Sequence, residues 1–379
     1  MARSLSLAQK AHLLFTFCFV VPPISIHNII GAVIRAWLQR LSIRASIRNA
    51  FARSLMTHIR PRQLQAILPP TLEAYRSWLS SKGSQFGITH EAHMLDDKHT
   101  HLLWLGERYS RKVVLFFHGG GYVMPLSTGH LEWMAYFRKK AIDSGVDLSI
   151  CLLEYSLVPD SPYPRQLAQA TMALQHLLEI GYEPGDIVIA GDSAGGHLCL
   201  SLLSHLLHPR SDSSGASSHI HLDGRLRGCA VISPLLSLDL TTRSYRERCS
   251  ADVLSRKTVR DWGRLLTDNS PWKEEIRQGK GWGMALDVPD KWWNGIENVV
   301  DQIMVTGGQE EIFRDHILQF IDVMQMNGVE LSSYIAPDEA HDGPLMDFSA
   351  GRPPSMTTQA ITDWLISSFV DEEIDNKFL

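Results

Sequence analysis

The sequence predicts an α/β protein in which a mostly parallel central sheet is flanked by helices on both faces. Two observations lead to this prediction. From about residue 100 onward, short apolar runs alternate with segments that have helical periodicity. The apolar runs are also continuous rather than alternating with polar residues, which is typical of parallel strands covered on both sides. The length of 379 residues accommodates one large domain with insertions.

The elements of this core follow one another in a regular order. The predicted strands are residues 100–107, 112–117, 146–155, 186–191, 226–236, 301–308 and 329–337. The predicted helices between and after them are residues 129–145, 163–181, 194–207, 315–328 and 356–370. The core is therefore assigned to residues 89–238 and 299–370.

The N-terminal part, residues 1–88, is predicted to be helical. Residues 11–34 contain no Asp, Glu, Lys or Arg. This uncharged segment is long enough to span a bilayer. Pro22 and Pro23 are expected to break this run into two short helices that pack, as part of a cap, over the site that the motifs below identify. A membrane anchor or an interfacial helix is the alternative. No cleavage site for a signal peptidase follows promptly, so cytoplasmic or membrane-associated placement is favoured over secretion.

The segment 239–298 interrupts the alternation of strands and helices. It contains five of the ten tryptophans, namely Trp262, Trp272, Trp282, Trp292 and Trp293. We interpret it as an insertion of helices and loops above the sheet that contributes to a helical cap. The last residues, 371–379, form an acidic tail that is expected to fray.

Composition excludes several classes of function. The net charge of −5 offers no broad basic face for nucleic acid. The five cysteines are odd in number and widely spaced, which supports neither a disulfide framework nor a zinc site and favours a reducing compartment. The sequence contains no HExxH motif or phosphate-binding glycine pattern, so no metal or other cofactor is expected.

The strongest motif is Gly-x-Ser-x-Gly, formed by Gly191, Ser193 and Gly195. It lies between a predicted strand and a predicted helix, where such a turn exposes the serine above the sheet and requires small neighbours. The helix N-terminus also favours negative charge next to Ser193. Ser193 is therefore the predicted nucleophile, and Asp192 beside it is predicted to be structural.

A second motif, His118 to Gly121, follows the strand 112–117. Consecutive glycines let backbone N–H groups approach a carbonyl oxygen that becomes negatively charged. Gly119, Gly120 and Gly121, together with Ala194, are the predicted oxyanion-hole residues. His118 is predicted to be a structural hydrogen-bonding residue.

Three motifs occur in order: HGGGY, then EYSLVPDSPYP at residues 154–164, then GDSAGG. In this the chain resembles the hormone-sensitive-lipase branch of the α/β-hydrolase fold, the HGGG esterases, from about Val113 to the final helix. The C-terminal motifs look most like a fungal subgroup that includes steryl acetyl hydrolases and secondary-metabolite hydrolases. The resemblance implies a serine nucleophile, an acid and a histidine in that chain order.

Aligned on this family, Glu311 takes the position of the acid, where aspartate is commoner, and His341 takes that of the base. A glutamate needs about one methylene of adjustment to orient the imidazole. Glu310 stays open as the alternative acid. Asp315 is interpreted as a structural residue of the following helix, and His316 ranks below His341 because it lies inside that helix.

The expected activity is hydrolysis of a carboxylic ester through an acyl-enzyme. The expected substrate is a short acyl or acetyl ester of a hydrophobic alcohol, lipid or secondary metabolite. An acyltransferase or thioesterase with the same triad is the first alternative. The second is a ligand receptor without activity, as in the plant gibberellin receptor, which resembles this family but lacks the triad histidine. Oligomeric state is left open.

Overall fold

A computed structural model of the chain describes residues 5–88, 92–209, 220–279 and 283–370. Its centre is an eight-stranded sheet with the order β1-β2-β4-β3-β5-β6-β7-β8. The pairs β1/β2 and β2/β4 are antiparallel, and every other pair is parallel. The strands are β1 Ala92–Met94, β2 His101–Leu105, β3 Lys112–Phe117, β4 Leu148–Glu154, β5 Ile187–Asp192, β6 Gly228–Ile232, β7 Gln302–Gly308 and β8 Glu330–Ala336.

Helices cover both faces of the sheet, and several of the N-terminal helices lie near the carboxyl ends of its parallel strands. The N-terminal helices are α1 Leu7–Phe15, α2 Val21–Gln39, α3 Ile43–His58, α4 Pro61–Ile67 and α5 Thr71–Lys82. Those of the core are α6 Thr128–Asp143, α7 Arg165–Glu179, α8 Ala194–Leu207, α12 Arg314–Met326, α13 Gly343–Ser349 and α14 Met356–Ser367. Between β6 and β7 lie α9 Arg243–Glu247, α10 Arg256–Thr267 and α11 Lys273–Arg277.

All seven strands and five core helices predicted from the sequence are confirmed, with shifts of a few residues at their ends. The strand β1 and the helix α13 are additional. Both are short, three and seven residues, and neither contains enough apolar residues to stand out along the chain. Their positions depend on pairing with β2 and packing against α6.

The buried strands explain why the apolar runs are continuous. In β3, Val113, Leu115 and Phe117 belong to the core on one face of the sheet. Val114 and Phe116 belong to the core on the other face. Because helices cover both faces, no position of the strand interior faces water, and the mostly parallel α/β fold is confirmed.

The prediction that Pro22 and Pro23 break the apolar N-terminal run is wrong. Helical backbone continues from Leu7 to Gln39, and this helix is long and apolar enough to cross a membrane. A π-helical turn at Thr16–Val20 precedes the prolines, and the Val21 N–H bonds to the Thr16 carbonyl. The prolines then fall in the first turn of α2, where the fixed proline φ fits a helix.

The segment 239–298 contains helices and loops, as predicted. Its described tryptophans pack at different places in the structure. Trp262 faces the cavity described below. Trp272 packs edge-on against Tyr163, Trp292 lies over His208, and Trp293 packs edge-on against Phe320. Trp282 and the tail 371–379 lie outside the described residues. The assignment of 239–298 to a cap therefore stays a prediction.

Candidate active site

Ser193 lies at the sharp turn between β5 and α8. Its backbone has φ 52° and ψ −112°, a conformation that L-residues rarely adopt. The flanking glycines make this turn sterically feasible: a Cβ at Gly195 would lie 1.8 Å from the Phe117 oxygen. A Cβ at Gly191 would lie 2.5 Å from the carbonyl carbon of Gly195. Packing against the end of β3 therefore requires glycine on both sides of the serine.

The structure brings Ser193, His341 and Glu311 into one hydrogen-bonded chain. His341 Nε2 lies 2.8 Å from Ser193 Oγ, and His341 Nδ1 lies 2.9 Å from Glu311 Oε2. All three side chains are buried, and Phe313 packs edge-on against the imidazole. This is the geometry that a serine nucleophile, a base and an orienting carboxylate require.

The longer glutamate side chain is accommodated by the glycines at the end of β7. Glu311 Oε1 accepts the Gly308 N–H at 2.8 Å. A Cβ at Gly307 would lie only 2.5 Å from the same oxygen, so the absence of a side chain there leaves room for the carboxylate. The second oxygen is thereby directed at His341.

Glu310, the alternative acid, points elsewhere. Its carboxylate pairs with Arg35 at 2.7 Å and with Arg248 at 2.9 Å. It therefore connects α2 and the insertion to the loop that carries Glu311. Of the other candidates, Asp315 accepts the Ser244 N–H at 2.7 Å, and the His316 ring packs against Tyr245.

The glycine loop approaches Ser193 with two residues in left-handed conformations, Gly120 at φ 99° and Gly121 at φ 62°. Among the described residues, no protein acceptor takes the N–H groups of Gly120, Gly121 or Ala194. The Gly119 N–H, in contrast, donates to Asp192 Oδ1 at 2.9 Å. Of the four predicted oxyanion-hole residues, Gly119 is thus committed to another bond, and the other three have free donors.

Asp192 holds the glycine loop in place by accepting a hydrogen bond from the Gly119 N–H. Its second carboxylate oxygen lies 3.2 Å from Nε2 of His130, and the side chain is fully buried. Burial favours the neutral acid, but His130 and the Gly119 N–H outweigh it and hold the pKa of Asp192 below its ordinary value. The structural role predicted for Asp192 is therefore to hold the loop beside Ser193.

His118 has the properties of a structural residue. Its Nδ1 lies 2.8 Å from the Gly119 carbonyl, and its ring stacks on Tyr155 at 4.3 Å. Burial, together with the nearby His130, lowers the pKa of His118 to about 3, so it stays neutral near pH 7.

Asp342 directly follows the histidine, but no sequence motif predicted a role for it. Its Oδ2 lies 3.2 Å from His341 Nε2, the nitrogen that also faces Ser193. Asp342 adopts a left-handed backbone at φ 54°, which places its carboxylate beside the ring. Burial alone would lower the pKa of His341, but Asp342 and Glu311 raise it well above its ordinary value.

We expect Asp342→Asn to shift the acidic limb of the kcat/KM–pH profile to lower pH. With His341 as the predicted base, only its neutral form accepts the Ser193 proton. Removing an adjacent anion destabilises the imidazolium, so the neutral base persists to lower pH. Hydrolysis of a soluble nitrophenyl ester measures the limb, with Asp338→Asn in the same loop as the control. A limb that stays in place or moves to higher pH contradicts the assignment.

Asp252, in the insertion, was likewise not predicted from the sequence, because nothing near it resembles a motif. Its buried carboxylate accepts the Ile312 N–H at 2.6 Å and the His341 N–H at 3.3 Å. It thus joins the loops that carry the predicted acid and base. Burial raises the pKa of Asp252 to about 6, with the charge of His341 opposing the shift.

The variant Asp252→Asn is expected to lower kcat by about ten- to a hundredfold with little change in KM. The amide replaces one acceptor oxygen by a donor, so one of the two loops loses its bond and shifts, and small misplacements of reacting groups cost this much. Steady-state kinetics measures the effect. Glu247→Gln, an exposed carboxylate in the same insertion, is the control, and a wild-type kcat in Asp252→Asn would refute the role.

A cavity of about 480 Å³ lies above Ser193. Its wall includes Ser193, His341 and the glycines 119–121 on one side. Elsewhere it is mainly apolar, lined by Leu55, Met56, Ile59, Leu64, Leu235, Val253, Leu254, Val259, Trp262, Leu266 and Phe313. Such a volume and lining suit a hydrophobic small molecule held with its reacting group at the serine.

Comparison with known proteins identifies related sequences. The family described as alpha/beta hydrolase fold matches residues 114–344. Mug81 of Schizosaccharomyces pombe, a predicted steryl acetyl hydrolase, is 28% identical over 227 residues, which is 58% of this chain and 56% of that protein. Neutral cholesterol ester hydrolase 1 of Mus musculus is 28% identical over 232 residues, 56% of this chain and 53% of that protein. The matched region thus spans about half the length of each relative.

Among solved structures, the fold resembles that of a variant of the esterase rPPE. The TM-score is 0.64 at 16% sequence identity, covering 88% of this chain and 98% of that one. At this identity the likeness concerns the fold. It extends beyond the matched family region to most of the chain.

Proposed function

The chain belongs to the α/β-hydrolase fold family, and on that premise we propose that it is a carboxylic ester hydrolase that acts through an acyl-enzyme. One observation carries the proposal: Ser193 Oγ, His341 and Glu311 form a continuous hydrogen-bonded chain at the floor of an apolar cavity. The hydrolase names of the curated relatives support the same reaction class.

In the proposed reaction, Ser193 Oγ attacks the ester carbonyl while its proton passes to His341 Nε2. The tetrahedral intermediate expels the alcohol, which takes that proton from His341. A water molecule then attacks the acyl-enzyme and gives its proton to His341. The acid leaves, and the proton returns to Ser193. Glu311 keeps Nδ1 protonated and stabilises the imidazolium in both halves of the reaction.

The negative oxygen that forms in each half needs hydrogen-bond donors. Gly120, Gly121 and Ala194 supply them in this proposal, because their N–H groups are free among the described residues. The N-terminus of α8 at Ala194 adds a favourable dipole. Gly119 acts indirectly, through its bond to Asp192.

The substrate proposed is a short acyl ester of a hydrophobic alcohol, lipid or secondary metabolite. The apolar lining favours release of water around the alcohol and leaves few groups to solvate a charged substrate. The names of the relatives refer to steryl acetates and cholesterol esters, which have alcohols of this kind.

A fluorophosphonate probe tests the proposal, because it reacts only with an activated serine. We expect labelling of the wild-type chain at Ser193, and release of acetate from hydrophobic acetyl esters. Labelling without hydrolysis, but with acyl transfer to an added alcohol or thiol, would make the chain an acyltransferase. Absence of both labelling and turnover would indicate a binding protein.

A further inference from the structure

The N-terminal helices carry an unusually apolar outer surface. In α2, five side chains that recur at helical spacing are between 55% and 73% exposed: Ile26, Ile30, Ile34, Trp37 and Leu38. The neighbouring helix α3 exposes a second row, namely Ile43, Ile47 and Phe51. Phe15 and Phe19 extend the first row towards the N-terminus, 58% and 68% exposed. We name these ten residues the apolar face. Apolar areas this extensive on a protein surface mark an interaction site.

The segment that carries the apolar face has only basic charges. Residues 1–72 contain nine lysines and arginines and no aspartate or glutamate, whereas residues 73–379 contain 27 basic and 41 acidic residues. Four of these cations, Lys10, Arg40, Arg44 and Arg60, are exposed and have no acidic partner among the described residues. Apolar helical rows flanked by unpaired cations and aromatic residues match the interface of a bilayer that contains anionic lipids.

We propose that the apolar face docks the protein onto an anionic membrane surface, with α1 and α2 lying in the interface. A second copy of the chain fits less well, because pairing two such faces would bring their cations together. A lipid surface instead supplies hydrocarbon for the apolar rows and phosphate or carboxylate groups for the cations.

The helix α2 packs against the protein body from its first turn to near its end, which argues against a transmembrane orientation of Leu7–Gln39. The inner side of α2 is buried at Val21, Ser25, Ala32 and Ala36. Asn28 bonds to Ser54 at 2.9 Å, and Arg35 pairs with Glu310 at 2.7 Å. A helix that left the body to cross a bilayer would lose these contacts and leave Glu310 with one fewer cation.

The mouth of the active-site cavity adjoins the apolar face. Phe17, between Phe15 and Phe19, lines the cavity and is itself 39% exposed. Ala52 lines it next to Phe51, and the exposed Ile67 and Pro69 lie at its rim. Docking would therefore place the opening against the lipid. In this orientation an ester dissolved in the bilayer could reach Ser193 without passing through water. This consequence rests on the proposed function.

Flotation of the purified full chain with vesicles tests the docking. We expect binding to phosphatidylcholine vesicles that contain phosphatidylserine, weaker binding without it, and release at high salt. Ile34→Asp with Trp37→Asp should weaken binding more than about tenfold, because two apolar side chains lose their burial. Arg40→Gln with Arg44→Gln should cost about fivefold for each charge.

The matched control is Met326→Asp with Tyr109→Asp, two residues that are more than 70% exposed outside the apolar face. It should bind vesicles like the wild type. This control and the two double variants of the N-terminal helices should all hydrolyse a soluble ester at the wild-type rate. Ser193→Ala should also bind normally, so loss of ester hydrolysis alone leaves the docking intact.

Three results would overturn the proposal. The first is equal vesicle binding by the wild type and the Ile34/Trp37 variant. The second is retention in the membrane after an alkaline carbonate wash, which would indicate a spanning helix. The third is a dimer in vesicle-free solution that the same variant converts to monomer, which would make the apolar face a subunit contact.

Discussion

Ser193→Ala is expected to reduce kcat for a short nitrophenyl ester by about 10⁶-fold, as for nucleophile removal in other enzymes with a serine–histidine–carboxylate triad. Among the residues that the structure describes, Ser193 Oγ is the hydroxyl that bonds to His341 Nε2, at 2.8 Å. Only the donors of the glycine loop and α8 would remain to stabilise the transition state. Stopped and continuous assays with the purified chain measure the loss.

Folding must be preserved in this comparison. Alanine is smaller and tolerates the turn backbone no worse than serine does, so we expect an unchanged thermal unfolding midpoint. Ser201→Ala is the control, because Ser201 is a buried serine two turns further along α8. Near-wild-type hydrolysis by folded Ser193→Ala protein would show that another group is the nucleophile.

Glu311→Gln is expected to lower kcat by about 10⁴-fold, the size of effect seen when a triad carboxylate becomes an amide. The amide no longer stabilises the imidazolium, and it can present its NH₂ group to His341 Nδ1, which favours the wrong tautomer. The Gly308 N–H at 2.8 Å holds the other oxygen, so the side chain stays in place while its charge is lost.

The adjacent Glu310→Gln provides a matched comparison with the same chemical change. Its carboxylate faces Arg35 and Arg248 rather than the imidazole, so kcat should fall less than about tenfold. Loss of these partly buried ion pairs should instead lower the free energy of unfolding. A larger kcat loss in Glu310→Gln than in Glu311→Gln would reverse the assignment of the acid.

The sequence alone predicted the parallel α/β core, because strands buried on both faces must be apolar at every position, and helices between them have a different period. The nucleophile turn was equally readable. Its glycines are required by local strain and by the close approach of the Phe117 carbonyl. The motif is therefore visible within five consecutive residues. Order along the chain and family resemblance then led to Glu311 and His341.

The choice between Glu310 and Glu311 needed the tertiary structure. Adjacent residues in a loop point in different directions, and the direction depends on Gly307, Gly308 and the partners on α2. The N-terminal prolines were misjudged for a related reason. Their effect depends on whether the preceding turn can widen, and a π-helical turn at Thr16–Val20 does so.

The contacts of Asp252 and the exposure of the apolar face became visible only in the tertiary structure. Asp252 is 60 residues from Ile312 and 89 from His341 along the chain, so no local pattern links them. Likewise, an apolar helix of residues 7–39 fits a buried cap, a membrane span or an interfacial helix equally well by composition. Only the packing of α2 on α3 separates the side chains that are buried from those that face outward. Short-range sterics and periodicity are encoded locally, whereas contacts between distant segments exist only once the chain has folded.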